Sequence, residues 1–236
     1  MHDTVSSKSM AIGRALIAAA AVLLGAALSY AEQGRAAPQH TTPIVFHQFT
    51  SSPHLQLTAG VITQLGKGKL LVANRRLSDP NFAQTVILLL EYSREGAMGV
   101  VLNRPTDIGL ATVLPQIKAL KKRKDTVSLG GPVGRDQVLL LAQSSRPPEN
   151  SQQIFGQCYI VVSQTALLRL IGNGNPGIKL RAFVGYAGWA PGQLDAEVAR
   201  QDWHIRPADV TTVFSLTPDR MWPELIKQSE FEWAGR

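Results

Sequence analysis

The sequence predicts an α+β domain built on one mostly antiparallel sheet. Two observations predict it. Short apolar runs come in hairpin-like pairs, as in "TVILLLEY" and "AMGVVLN" on either side of "SREG". Helical stretches come singly and do not alternate with strands, as a doubly wound parallel sheet would require. The pattern begins at Gly60 and spans about 170 residues, enough to bury one sizeable core.

The elements follow in order. "GKLLVA" reads as a strand. "DPNFAQ" reads as a brief helical turn, with Asp79 capping free amides and Pro80 at the first helical position. The hairpin comes next. "RPTDIGLATVLPQIKALKKRK" reads as helix in two pieces broken at Pro115. "TVSLGG" and "QVLLLAQ" are strands joined through "PVGRD", and "CYIVV" is another. Ser163 caps a helix over "QTALLRLIG". "KLRAFVGY" is a strand that enters the glycine-rich turn "AGWAPGQ", followed by a helix through Arg200. "VTTVFSL", rich in β-branched residues, is expected to be the last strand. Pro218 then opens a closing helix.

Two segments precede the domain. Residues 1–31 have the parts of an export signal: basic Lys8 and Arg14, an apolar run from Ala15 to Leu28, and small residues before a cleavage point after Ala31. The run is short for a membrane span, so a signal peptide is favoured over a membrane anchor. The expected location is periplasmic or membrane-anchored, and cytoplasmic only if the segment is not a working signal. Residues 32–58 read as a flexible linker with one apolar patch, "IVF". His40, His47 and His54 recur there every seven residues, but a metal site needs a convergent geometry that a linker seldom supplies. Residues 59–236 form the domain.

Composition narrows the chemistry. Charged residues make up 17% of the chain and apolar ones 44%, the balance of a globular protein. A net charge of +7 permits an anionic partner such as nucleic acid, acidic lipid or a small anion, and demands none. Cys158 is the one cysteine, which excludes an intramolecular disulfide and any multi-cysteine zinc site. It sits in an apolar run with nothing basic beside it, so it reads as a buried, inert thiol.

Four blocks in order, "LLVANRRLSDPNFAQTVILLLEYSREGAMGVVLNRPT", "LGGPV", "GYAGWAPGQLDAEV" and "DWHIRPADVTTVFSL…MWPEL", resemble the AlgH/YqgE family of bacterial proteins. The likeness covers about residues 66–228. It implies a single α+β domain with a barrel-like, partly bifurcated sheet surrounded by helices. It implies no established reaction, metal or cofactor. Members are often labelled regulators of transcription, without a stated mechanism. Two positions depart from the family: Arg75 stands where Pro is usual, and Tyr92 where His often follows the glutamate. The export-like leader departs further, because a protein outside the cytoplasm cannot regulate transcription directly.

Candidate site residues fall in two sets. The first lies at three strand ends. Asn103 and Arg104 end "VLN"; Arg104 offers a bidentate clamp for a carboxylate or phosphate, while Asn103 equally serves its own turn. Gly130 and Gly131 offer bare backbone to a ligand. Gly188, Trp189, Gly192 and Gln193 form the glycine-rich turn, which lacks both G-x-G-x-x-G spacing and a P-loop lysine. That turn reads first as a structural corner with a buried Trp189, and second as an anion contact at a helix N-terminus. The second set lies in the basic run "KALKKRK" (Lys118 to Lys124), with Lys121, Lys122, Arg123 and Lys124 as its candidates, a solvated face or a polyanion-binding one.

Catalytic candidates are few. Asp195 and Glu197 are two apart on a helix and point to different sides. Glu91 at a strand end is the best general-base candidate, and His204 has no nucleophile partner in a recognisable motif. The sequence therefore reads as a non-catalytic protein that binds a partner or small anionic ligand. The alternatives are a cytoplasmic regulator touching nucleic acid through the basic run, and a hydrolase or transferase.

Overall fold

In the computed structural model, residues 64–172 and 178–234 are described. The leader, the linker and their three histidines lie outside them. Ten strands form one curled sheet with the order β10-β1-β2-β3-β9-β6-β8-β7. These are β1 (Lys69–Ala73), β2 (Val86–Ser93), β3 (Gly96–Val101), β4 (Pro105–Gly109), β5 (Thr126–Leu129), β6 (Val133–Gln143), β7 (Ser151–Phe155), β8 (Cys158–Val161), β9 (Leu180–Trp189) and β10 (Trp203–Pro207). All pairings are antiparallel except β5 with β9. The helices are α1 (Leu110–Val113), α2 (Gln164–Gly172), α3 (Gln193–Ala199), α4 (Val210–Phe214) and α5 (Pro218–Ala234), with a 3-10 turn at Lys118–Lys122. The expected α+β class and antiparallel, barrel-like sheet are present.

The sheet divides at β9. One edge of β9 is taken by β6. The other edge is shared by β5, along Ala182–Val184, and β3, along Ala187–Trp189. The split falls at Gly130, whose N–H donates to Val184 O at 2.8 Å and whose carbonyl accepts from Val101 N–H at 2.8 Å. At the far side the curl brings β7 against the chain before β1: Lys67 Nζ donates to Gln153 O at 3.0 Å. Gly68 packs there so closely that a Cβ would stand 3.0 Å from Ile154 O.

Alternation along the strands separates two cores. In β6, Leu139 and Leu141 join a large cluster with Leu70, Ile87, Val100, Phe183 and Ile226, whereas Leu140 and Ala142 join a smaller one with Leu110, Ile117, Leu120 and Leu167. The smaller core lies beneath α1, the 3-10 turn and α2, so the Leu139–Ala142 stretch of β6 is buried on both faces.

Four sequence readings change. "VTTVFSL" is not a strand: Asp209 Oδ1 accepts from Thr212 N–H at 2.8 Å and caps α4, so local capping overrides β-branched propensity. Pro105–Gly109, expected as helix, is strand β4 paired with β5. The linker "PVGRD" is the first part of β6, with Val133 opposite Tyr186. β7 (SQQIF), mostly polar and not read as a strand of its own, pairs with β8 through the turn at Gly156–Gln157. The cap at Ser163 is present, its Oγ accepting from Ala166 N–H at 3.0 Å.

Candidate functional site

The strand-end candidates meet in part. β5 ends beside β4, with Leu129 N–H donating to Arg104 O at 2.8 Å, so Asn103 and Arg104 adjoin Gly130 and Gly131. The glycine-rich turn lies at the opposite end of β3, where Ala97 pairs with Trp189 and Met98 with Gly188. A single loop connects the two places. Asn103 Oδ1 accepts from Val86 N–H at 2.9 Å and its Nδ2 donates to Gln84 O at 2.8 Å. Arg104 Nη2 donates to Ala83 O at 2.7 Å. Phe82, in the same loop, stacks on Trp189 with centroids 6.2 Å apart.

Each of these residues is engaged within the chain. The bare backbone of Gly130 and Gly131 faces β9: a Cβ on Gly130 would collide with Gly185 O, and one on Gly131 with Tyr186 O. Gly185 faces them in turn, with φ +72° and a would-be Cβ 2.6 Å from Gly131 O. At the turn, Gly188 lies within β9, and Gly192 alone of the two has positive φ, +71°. Gln193 closes the corner, its Oε1 accepting from Ala190 N–H at 3.1 Å.

Trp189 is 2% exposed and belongs to a knot that the sequence did not show. Glu197 Oε2 accepts from Trp189 Nε1 at 2.8 Å and from Trp203 Nε1 at 2.9 Å, while Glu197 Oε1 accepts from Gln193 Nε2 at 3.0 Å. The two indoles meet edge to face at 6.3 Å. Asp195 faces elsewhere and accepts from the Tyr92 hydroxyl at 2.6 Å. The Asp195 hydrogen bond raises the Tyr92 hydroxyl above its usual pKa. Tyr92 thus fastens α3 to the hairpin.

The remaining titratable groups show more constraint than chemistry. Glu91 sits beside a bulge in β2. Its Oε2 is buried without a hydrogen-bond partner, and burial, helped by Glu95 and opposed by Lys67, pushes its pKa up. His204 lies 3.4 Å from Asn74 Nδ2, its pKa lowered by burial and by Arg206 against the pull of Glu230. Arg181 is a partly buried cation held by the carbonyls of Val213 and Leu102, and burial lowers it to about 10. Among the described residues no group of three or more His, Cys, Asp or Glu is placed to hold a metal ion.

The basic run is divided by its own geometry. A 3-10 turn has three residues per turn, so every third residue shares a side. Ile117 and Leu120 lie on the inner side and enter the smaller core. Arg123, next in that series, also turns inward: its Nε donates to Asp125 Oδ2 at 2.5 Å and its Nη2 to Ile178 O at 3.0 Å. Lys118 and Lys121 form the outer row, with Lys122 beside it and Lys124 after it, all four exposed. No described carboxylate pairs with any of them; Asp125, the acid next in sequence, is taken by Arg123. Lys118 opens the same basic run and falls in the same three-residue period.

The fold and these surfaces define a curled α+β sheet domain with a densely used interior and one lysine-rich face. The chain belongs to the AlgH-like family, whose model matches residues 70–234. It is 35% identical over 176 residues to a UPF0301 protein of Streptomyces avermitilis, covering 71% of this chain and 88% of the relative. To the UPF0301 protein AlgH of Pseudomonas aeruginosa PAO1 it is 36% identical over 158 residues, covering 65% and 82%. The solution structure of Pseudomonas aeruginosa AlgH superposes with a TM-score of 0.58 at 32% identity, covering 73% of this chain and 92% of that one. A crystal structure from Corynebacterium diphtheriae has the same fold, with a TM-score of 0.60 at 24% identity, covering 70% and 87%. None of these names carries a reaction.

Proposed function

We propose that this chain is a non-catalytic binding protein whose contact face is Lys118, Lys121, Lys122 and Lys124, and whose partner is polyanionic. One observation carries the reading. Four lysines stand exposed within seven residues without a carboxylate partner among the described residues, while Arg104, Asn103 and the glycine backbones are engaged within the chain. An unneutralised cationic face attracts and holds anions. The same reading takes residues 1–31 as an export signal or anchor, which puts the lysine face outside the cytoplasm and nucleic acid out of its reach.

The test is elution from an immobilised sulfated polysaccharide in a salt gradient. Wild type should be retained, and a variant with the four lysines changed to Gln should elute early. A control variant with Arg76, Arg94, Arg135 and Arg146 changed to Gln carries the same change in net charge on other exposed positions. If the control elutes as early as the lysine variant, net charge and not this face is responsible, and the reading fails.

A further inference from the structure

We propose that the polyanion is an acidic lipid surface, on which the lysine face docks with Leu168 as an apolar foothold. This rests on the polyanion reading above and names its partner.

Three features point to lipid. First, the 3-10 turn packs against α2, sharing the smaller core through Leu120, Ala166 and Leu167. The outer side of α2 carries Leu168, 40% exposed. Its neighbour Arg169 is paired with Glu149, so the apolar side chain stands next to a neutralised cation. Lysine stems lie along an interface while their ammonium groups reach phosphates, and an exposed leucine on the adjoining helix gains by entering the acyl boundary. Second, the face is poorly built to read nucleic acid. A five-residue 3-10 turn cannot fill a major groove as a recognition helix does. Among the described residues no exposed aromatic ring stands there for stacking bases: of the described exposed large apolar residues, only Phe231 is aromatic, and it is on α5. Third, lysine is a point charge that needs no fixed acceptor geometry, which suits mobile headgroups.

Each lysine near an acidic membrane strengthens partitioning about fivefold, so four give several hundredfold at modest salt. That is weak, reversible attachment, useful when a second attachment holds the domain nearby. The apolar run Ala15–Leu28 would supply one if it is retained.

The experiment sediments the full chain with phosphatidylcholine vesicles, with and without about a quarter phosphatidylglycerol, and measures binding to a short DNA duplex alongside. Wild type should prefer acidic over neutral vesicles by about a hundredfold or more, a preference that fades as salt screens it. The lysine-to-Gln variant should bind both vesicles alike. Leu168→Ser should weaken binding to acidic vesicles severalfold and leave retention on the sulfated polysaccharide unchanged. Binding to duplex but not to acidic vesicles would keep the polyanion reading and overturn the lipid one. Binding to neither would overturn both. A lysine variant that folds, by its melting curve, and still prefers acidic vesicles would remove the lysine face from the account.

Discussion

Replacing Trp189 with Ala should unfold the protein more readily than almost any other single change at the glycine-rich corner. The side chain is 2% exposed, stacks on Phe82 and meets Trp203 edge to face. A buried tryptophan covers about 150–250 Å², which at about 25 cal/mol/Å² is about 4–6 kcal/mol. Measured truncations of large aromatics fall at about 3–5 kcal/mol, because neighbours partly relax. Glu197 keeps Trp203 and Gln193 as donors, so no buried carboxylate oxygen is orphaned and the lower range applies. Trp189→Phe is the milder change: it keeps a ring against Phe82 but loses the indole N–H, worth about 1–2 kcal/mol, together with part of the buried ring area, so it should fall between wild type and the Ala variant. Urea unfolding followed by far-ultraviolet circular dichroism measures both. With a slope of about 2 kcal/mol/M, the Ala variant should lose about 2 M in midpoint at unchanged slope. Curves that overlay the wild type would refute the structural role and return Trp189 to the list of ligand contacts.

Other outcomes follow from the same geometry. Gly131→Ala should abolish soluble folded protein because its Cβ would meet Tyr186 backbone, whereas Gly192→Ala, with open space around it, should cost only about 1–2 kcal/mol from its positive φ; melting temperatures and soluble yields compare them. Glu91 has a raised pKa when folded, so the folded state holds its proton to higher pH than the unfolded chain. Its effect is thus to lower stability as pH rises through that interval. Glu91→Gln should raise the melting temperature at pH 7 and converge on the wild type below the ordinary glutamate range; a lower melting temperature at pH 7 would contradict this. Cys158 is fully buried and its thiol is pushed up to about 12 by burial, so a thiol reagent should label it only after denaturation, as mass spectrometry would show.

The legible parts of the fold were those written in local chemistry. The β2–β3 hairpin follows from two apolar runs around a glycine turn, and the Ser163 cap from one hydroxyl before a helical stretch. The misread parts needed knowledge of partners. β4 forms because β5 lies beside it, although Pro105 through Gly109 alone looks like the start of a helix. "VTTVF" looks like a strand until Asp209 is seen to take the amide of Thr212. The site was read in the same uneven way. A buried Trp189 was visible in its glycine-rich setting, but the Glu197 carboxylate shared by two indoles was not, since Trp203 comes from a different strand. The glycines at 130 and 131 were read as bare backbone for a ligand; what lies against them in the fold is the backbone of β9. The basic run was visible as composition, and only the three-residue turn shows that Arg123 faces in while Lys118 faces out.

The central claim is that the contact face is the lysine face and not the strand ends. Amide chemical-shift mapping of the folded protein, titrated with a short sulfated oligosaccharide at low salt, tests it directly. The shifted resonances should centre on residues 118–124, while those of Asn103, Arg104, Gly130, Gly131, Gly188, Trp189, Gly192 and Gln193 stay in place. Shifts that centre on those strand-end residues, with residues 118–124 unmoved, would contradict it.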